Sequence, residues 1–159
     1  MNKRILIISS IILFLDQLSK IIMETYLTLN EKINLIPNFF SITYTNNYGA
    51  AWSILNNKIY FLIGITVIVL IIIYRYMNTF KMNKRNILAF GFLFGGIIGN
   101  LIDRLFLGYV RDFLSFNIFG YNFPIFNISD VAIFFGAILL TVAIIKGEDH
   151  GNNRKYIKS

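Results

Sequence analysis

Four long apolar runs, each nearly free of charge, constrain this chain more than any other feature of its sequence. A helix needs roughly 20 predominantly apolar residues to cross about 30 Å of hydrocarbon. Residues 5–23, 59–76, 86–106 and 128–146 have that length and character. In lipid, a spanning segment must satisfy its own backbone hydrogen bonds, so each run is expected to be a helix. Composition agrees. Hydrophobic residues make up 56% of the 159 residues and charged residues 14%, whereas about a quarter of a soluble domain is charged. A water-soluble fold of this length could not hide so much apolar surface. The expectation is one integral membrane domain, all-α, with four transmembrane helices and no internal repeat.

The basic residues orient the spans. Lys3 and Arg4 precede the first, Arg75, Lys81, Lys84 and Arg85 lie around the link at 77–85, and Lys146, Arg154, Lys155 and Lys158 follow the last. Only Lys32, Lys58, Arg104 and Arg111 belong to the opposite side. Cytoplasmic loops carry the excess of Lys and Arg. Both termini are therefore expected in the cytoplasm, with 24–58 and 107–127 outside and a solvated tail at 147–159. The net charge of +7 is thus topogenic and does not argue for nucleic acid. The first run begins like a secretory signal, but Asp16 and Lys20 stand where a small-residue cleavage site would be needed, so it is expected to be retained.

The outer segments carry patterning of their own. Phe40-Ser41-Ile42-Thr43-Tyr44-Thr45 alternates as a half-buried strand does. An amphipathic sheet resting on the membrane surface would fit it. Phe113, Phe116, Phe119, Tyr121 and Phe123 give the second outer segment an interfacial character.

The available chemistry is narrow. There is no cysteine, and the only histidine, His150, lies in the polar tail. Thiolate chemistry, a His-rich metal site and a Ser-His-Asp triad are thereby set aside. No metal and no cofactor are expected.

Ionisable side chains near the midplane of a span cost at least about 2.5 kcal/mol each, yet several gather near the outer ends of three spans. Asp16 and Lys20 are one helical turn apart and can pair, either as a self-neutralising couple or as one wall of a polar pocket. Gly95 and Gly99 permit close approach of a neighbouring helix. Asn100, Asp103 and Arg104 can form a dense hydrogen-bond network, as structural glue or at a reactive site. Asn127 suits an N-cap and Asp130 the first turn that follows it. Fifteen uncharged residues then separate Asp130 from Lys146, which argues that Asp130 points into the bundle. Asp112 alone means little, but it lies on the outer side at a depth similar to that of Asp130. Two close carboxylates share a proton, so one can act as base on a water and the other as acid on a carbonyl. A small polar-lined transporter or channel is the alternative, and a non-enzymatic scaffold another. Transport needs polar residues along the whole path, and the second span carries no charge in its core while the inner halves of the third and fourth have no ionisable group.

At this point the chain resembles the lipoprotein signal peptidase family (signal peptidase II, prolipoprotein signal peptidase). Five elements carry the resemblance in order: Asp16-Gln17-Leu18-Ser19-Lys20; Asn47-Tyr48-Gly49-Ala50-Ala51-Trp52; Gly95 through Arg104; Val110-Arg111-Asp112-Phe113; and Phe126-Asn127-Ile128-Ser129-Asp130. The last departs from the family pattern only in having Ser129 where Ala is usual. The resemblance implies Asp112 and Asp130 as a catalytic aspartate dyad. It implies that Asp16, Lys20, Asn47, Gly49, Asn100, Asp103, Arg104 and Asn127 line or support the site. It also implies a small extracytoplasmic β-cradle formed by residues 24–58. The activity implied is cleavage of a diacylglyceryl-modified prolipoprotein just before the lipidated Cys, in the bacterial cytoplasmic membrane. Prolipoprotein substrate and membrane lipid would be the partners of a monomer.

Overall fold

The computed structural model describes residues 2–49, 55 and 58–150. Ala50, Ala51, Trp52 and the tail from 151 onward lie outside the described residues. Four helices are long and apolar enough to cross a membrane: α1 (Lys3–Tyr26), α2 (Ile59–Met77), α3 (Lys84–Phe106) and α4 (Ile128–Ile145). Three begin at an asparagine whose side chain accepts a first-turn amide, which is otherwise an orphan donor. Asn2 accepts from Arg4, Asn83 from Asn86 and Asn127 from Asp130. Helices lie over the four apolar runs, with α1 continuing to Tyr26 and α3 beginning at Lys84.

The third helix is the axis of the bundle. It contacts α1, α2 and α4 and buries residues along its whole length, while α2 buries only Leu62 and Met77. Glycines permit this central position. A Cβ on Gly95 would lie 2.8 Å from Ile12 Cβ, and one on Gly96 would lie 2.5 Å from the Ser129 carbonyl oxygen. Small residues at such contacts let membrane helices approach backbone to backbone.

The bundle is chemically polarised. At one end, Ile5, Met77, Phe80, Ile87, Phe90, Phe94 and Ala143 form an apolar core. There the Lys81 amide donates to the Glu148 carbonyl at 2.9 Å, and Asn83 and Asn86 side chains donate to the Glu148 carboxylate at 2.6 and 2.9 Å. The short 3-10 turn Glu148–His150, at the start of the polar tail, is thereby tied to the α2–α3 link.

At the other end lies an antiparallel sheet in the order β1–β2–β3–β4: β1 (Lys32–Ile36), β2 (Phe40–Asn47), β3 (Val110–Ile118) and β4 (Tyr121–Asn122). The alternating stretch at 40–45 is indeed a strand and runs on to Asn47. The cradle is wider than the 24–58 segment expected to form it, because the second outer segment supplies β3 and β4. Phe116 stacks on Phe40 with ring centroids 4.6 Å apart and on Phe126 at 5.7 Å. The aromatic residues of 107–127 therefore help to hold strands together as well as face the interface. Pairing Thr45 with Asp112 and Asn47 with Val110, past an irregularity between Ile42 and Thr45, brings β2 and β3 over the ends of α3 and α4.

Candidate active site

Asp112 and Asp130 come from different elements, β3 and the first turn of α4, and line one cavity of about 750 Å³. Asn47, Asn100 and Arg104 line it with them, and Phe123, Pro124, Ile125, Ile133 and Phe134 form an apolar side. Asp112 is only 2% exposed, so a residue that would be ordinary in a loop is instead buried on a strand. Its neighbour Arg111 points the other way, as alternation along a strand requires.

Three asparagines knit the two carboxylates together. Asn127 Nδ2 donates to Asp112 Oδ1 at 2.6 Å and to Asn100 Oδ1 at 3.1 Å. Asn100 Nδ2 donates to Asp130 Oδ1 at 2.8 Å, and Asn47 Nδ2 to Asp112 Oδ2 at 2.9 Å. Asn127 is also the N-cap of α4 in a full capping box: its Oδ1 accepts from the Asp130 amide, and its own amide donates to Asp130 Oδ2 at 3.2 Å. The cap reading of Asn127 and Asp130 is thus correct, and it coexists with a carboxylate facing the cavity.

Beneath this layer lies a second set of charges. Lys20 is fully buried and sits 2.8 Å from Asp16 and 3.3 Å from Asp103, both also fully buried. The Asp16–Lys20 couple is therefore a pair, but it does not line the cavity and forms no wall of it. Each buried carboxylate holds the backbone one residue before a cavity aspartate. Asp16 Oδ1 accepts from the Ser129 amide at 2.8 Å, and Asp103 Oδ2 from the Arg111 amide at 3.0 Å. Lys20 joins the two arms and donates to Asn100 Oδ1 at 3.0 Å. An ammonium has no acceptor capacity, so Lys20 fixes the orientation of the Asn100 amide and turns its Nδ2 toward Asp130.

Arg104 donates to the Gly49 carbonyl at 3.3 Å, and its Nε is buried without a partner. The Gly49 amide in turn donates to Asn47 Oδ1 at 2.9 Å, a local turn that fixes the amide of Asn47 with its Nδ2 toward Asp112. Gly99 explains how the layers fit. A Cβ there would lie 2.6 Å from Asp16 Oδ2 and would also collide with the Ser129 hydroxyl. The Ser129 side chain is buried and its hydroxyl has no partner.

Every site residue expected from the sequence belongs to this assembly. Three others were not anticipated. Gln17 Nε2 donates to Asp103 Oδ1 at 3.2 Å, while Arg111 donates to Asp103, to Glu24 at 2.8 Å and to Gln17 Oε1 at 3.0 Å. The signal for two of them was present: Gln17, Lys20 and Glu24 follow one another at three- and four-residue spacing, on a single helical face. Arg111 carried none, because only strand pairing turns it inward.

Electrostatics set the cavity apart from an ordinary polar patch. Burial, and then the neighbouring charge of Asp130, push the Asp112 carboxyl from 3.8 up to about 7, against the opposing hydrogen bonds from Asn47 and Asn127. Among the described residues, no group of three or more His, Cys, Asp or Glu side chains could hold a metal ion.

Known proteins resemble this chain over most of its length. The family model for signal peptidase (SPase) II matches residues 8–146. A lipoprotein signal peptidase of Staphylococcus haemolyticus is 42% identical over 142 residues, covering 89% of this chain and 90% of the relative. One from Staphylococcus aureus is 41% identical, covering 89% and 87%. A solved bacterial membrane enzyme superposes with a TM-score of 0.82 at 39% identity, over 89% of this chain and 87% of that one. A second does so with a TM-score of 0.75 at 37% identity, over 89% and 92%. With four apolar helices, a small sheet and a match of this extent, the chain belongs to the signal peptidase II family.

Proposed function

We propose that this protein is a membrane aspartic endopeptidase that removes the signal peptide from diacylglyceryl-modified prolipoproteins, cutting just before the lipidated Cys, with Asp112 and Asp130 as its catalytic dyad. The observation that carries the reading is that these two carboxylates line one cavity and are bridged by Asn100 and Asn127. Two carboxylates so placed hold a single proton between them at neutral pH. The ionised member takes a proton from a water lodged between them. The protonated member donates to the oxygen of the scissile carbonyl as the water attacks, and the tetrahedral intermediate then collapses with protonation of the departing amide nitrogen. No covalent enzyme intermediate and no metal is needed.

The remaining residues divide into two tasks. Arg104, with its unpartnered Nε, and Asn47 stand at the cavity and are suited to bind substrate backbone. Asp16, Lys20 and Asp103 hold the dyad-bearing backbone in place from beneath. The apolar side of the cavity suits a lipid-anchored substrate arriving by lateral diffusion. We place both termini in the cytoplasm of a bacterium, on the Lys and Arg distribution, so that the sheet and dyad face outward, and we take the working unit to be a monomer. A transport reading is disfavoured because, among the described residues, the buried cluster toward the other end of the bundle is apolar.

The test is cleavage of a diacylglyceryl-modified precursor peptide by purified protein. Asp112→Asn and Asp130→Asn should each insert normally and lose on the order of 10³-fold or more in turnover. Full turnover by either variant refutes the dyad.

A further inference from the structure

The end of the bundle remote from the sheet carries a feature that peptidase chemistry does not use. The first turns of α1 and α3 lie side by side there and leave a groove of about 340 Å³, lined by Arg4, Ile7, Ile8, Lys84, Ile87 and Leu88. Its floor is closed where Ile8 meets α3: a Cβ on Gly91 would lie 2.5 Å from Ile8 Cγ2. Four aliphatic side chains thus form the walls, and one cation from each helix stands at the level where a span begins.

These two cations are unspent. Among the described residues, neither Arg4 nor Lys84 has a carboxylate within ion-pair distance, and the nearby Glu148 is engaged by Arg85, Asn83 and Asn86. The helix starts themselves are already satisfied, since Asn2 takes the Arg4 amide and Asn83 the Asn86 amide, each at 2.9 Å. The attraction for an anion therefore resides in the side chains. The walls demand an apolar occupant as well: Ile7 and Leu88 are 59% and 41% exposed, on helices whose outer faces meet lipid.

We propose that this groove binds one anionic phospholipid, its phosphate-bearing headgroup between Arg4 and Lys84 and the upper part of an acyl chain along Ile7, Ile8, Ile87 and Leu88. A zwitterionic headgroup brings its own ammonium and gains little from two cations. A free anion leaves the aliphatic walls uncovered. The assignment holds whichever compartment this end of the bundle faces, and it is independent of the catalytic reading. A Lys or Arg near the surface of an anionic bilayer adds about 1 kcal/mol of attraction, so two convert to a preference on the order of thirtyfold for anionic over zwitterionic lipid.

The test is native mass spectrometry of the full chain released from nanodiscs of equal phosphatidylglycerol and phosphatidylcholine. The wild type should retain one phosphatidylglycerol in preference, by on the order of thirtyfold. The double variant Arg4→Gln, Lys84→Gln should fall toward parity, and Leu88→Trp, which fills the groove with both cations intact, should also lose the bound lipid. Arg75→Gln with Lys81→Gln removes two cations from the same end but outside the groove, and it should keep the preference. Equal retention of both lipids by the wild type overturns the proposal. So does an equal loss in the two double variants, which would mean diffuse charge and no site.

Discussion

Replacing Asp112 with asparagine should change how the stability of the fold depends on pH. In the wild type the Asp112 carboxyl titrates near 7, against 3.8 for the ordinary group. Between those values the folded chain binds more protons than the unfolded one at this site, so stability falls as pH rises through the window. Below 3.8 both states are protonated, and above about 7 both are ionised, so the contribution is flat on either side. At about 1.36 kcal/mol per unit, the whole shift corresponds to roughly 4 kcal/mol, and the part lying above pH 5 to roughly 3 kcal/mol. Asp112→Asn removes the titration. Below about pH 7 the wild-type carboxyl is itself neutral, with one C=O and one O–H, and the amide offers Asn47 and Asn127 the same one acceptor face and one donor face. The variant should therefore match the wild type closely at pH 5 and be the more stable protein at pH 8, by up to roughly 3 kcal/mol. Reversible unfolding of detergent-purified protein, followed at pH 5, 6, 7 and 8, measures both curves. If the variant lost stability between pH 5 and 8 by as much as the wild type, Asp112 would not be the group that burial holds protonated, and the account of the dyad's shared proton would go with it.

Two further substitutions probe the supporting layer. Ser129→Ala should raise stability by about 1 kcal/mol, because it removes a buried hydroxyl that has no partner, while turnover stays unchanged; a loss of turnover would show that the hydroxyl takes part in the site. Lys20→Met should destabilise by about 3–5 kcal/mol, since it strands Asp16 and weakens the support of Asp103; a variant equal to the parent in thermal unfolding and cleavage would mean that Lys20 is incidental.

What the sequence determined by itself follows from the solvent. Lipid cannot satisfy exposed backbone groups, so a long apolar run has one stable outcome, and the four helices were legible from hydropathy alone. The high cost of a charge in that medium likewise made Asp16, Lys20, Asp103 and Asp130 conspicuous. The glycine-rich run in α3 announced close packing for the same reason: with no hydrophobic drive between helices, small residues must supply the contact. The tertiary structure decided what local pattern could not carry. Whether Asp112 is a loop carboxylate or a buried one depends on the register of β3 against β2, and a one-residue slip would exchange it with Arg111. That same register turns Arg111 onto Asp103, Glu24 and Gln17, a role with no trace in its neighbours. The groups that hold Asp112 and Asp130 in one cavity come from α1, β2, α3 and the cap of α4, and only packing in three dimensions brings groups so distant in sequence into hydrogen-bond reach.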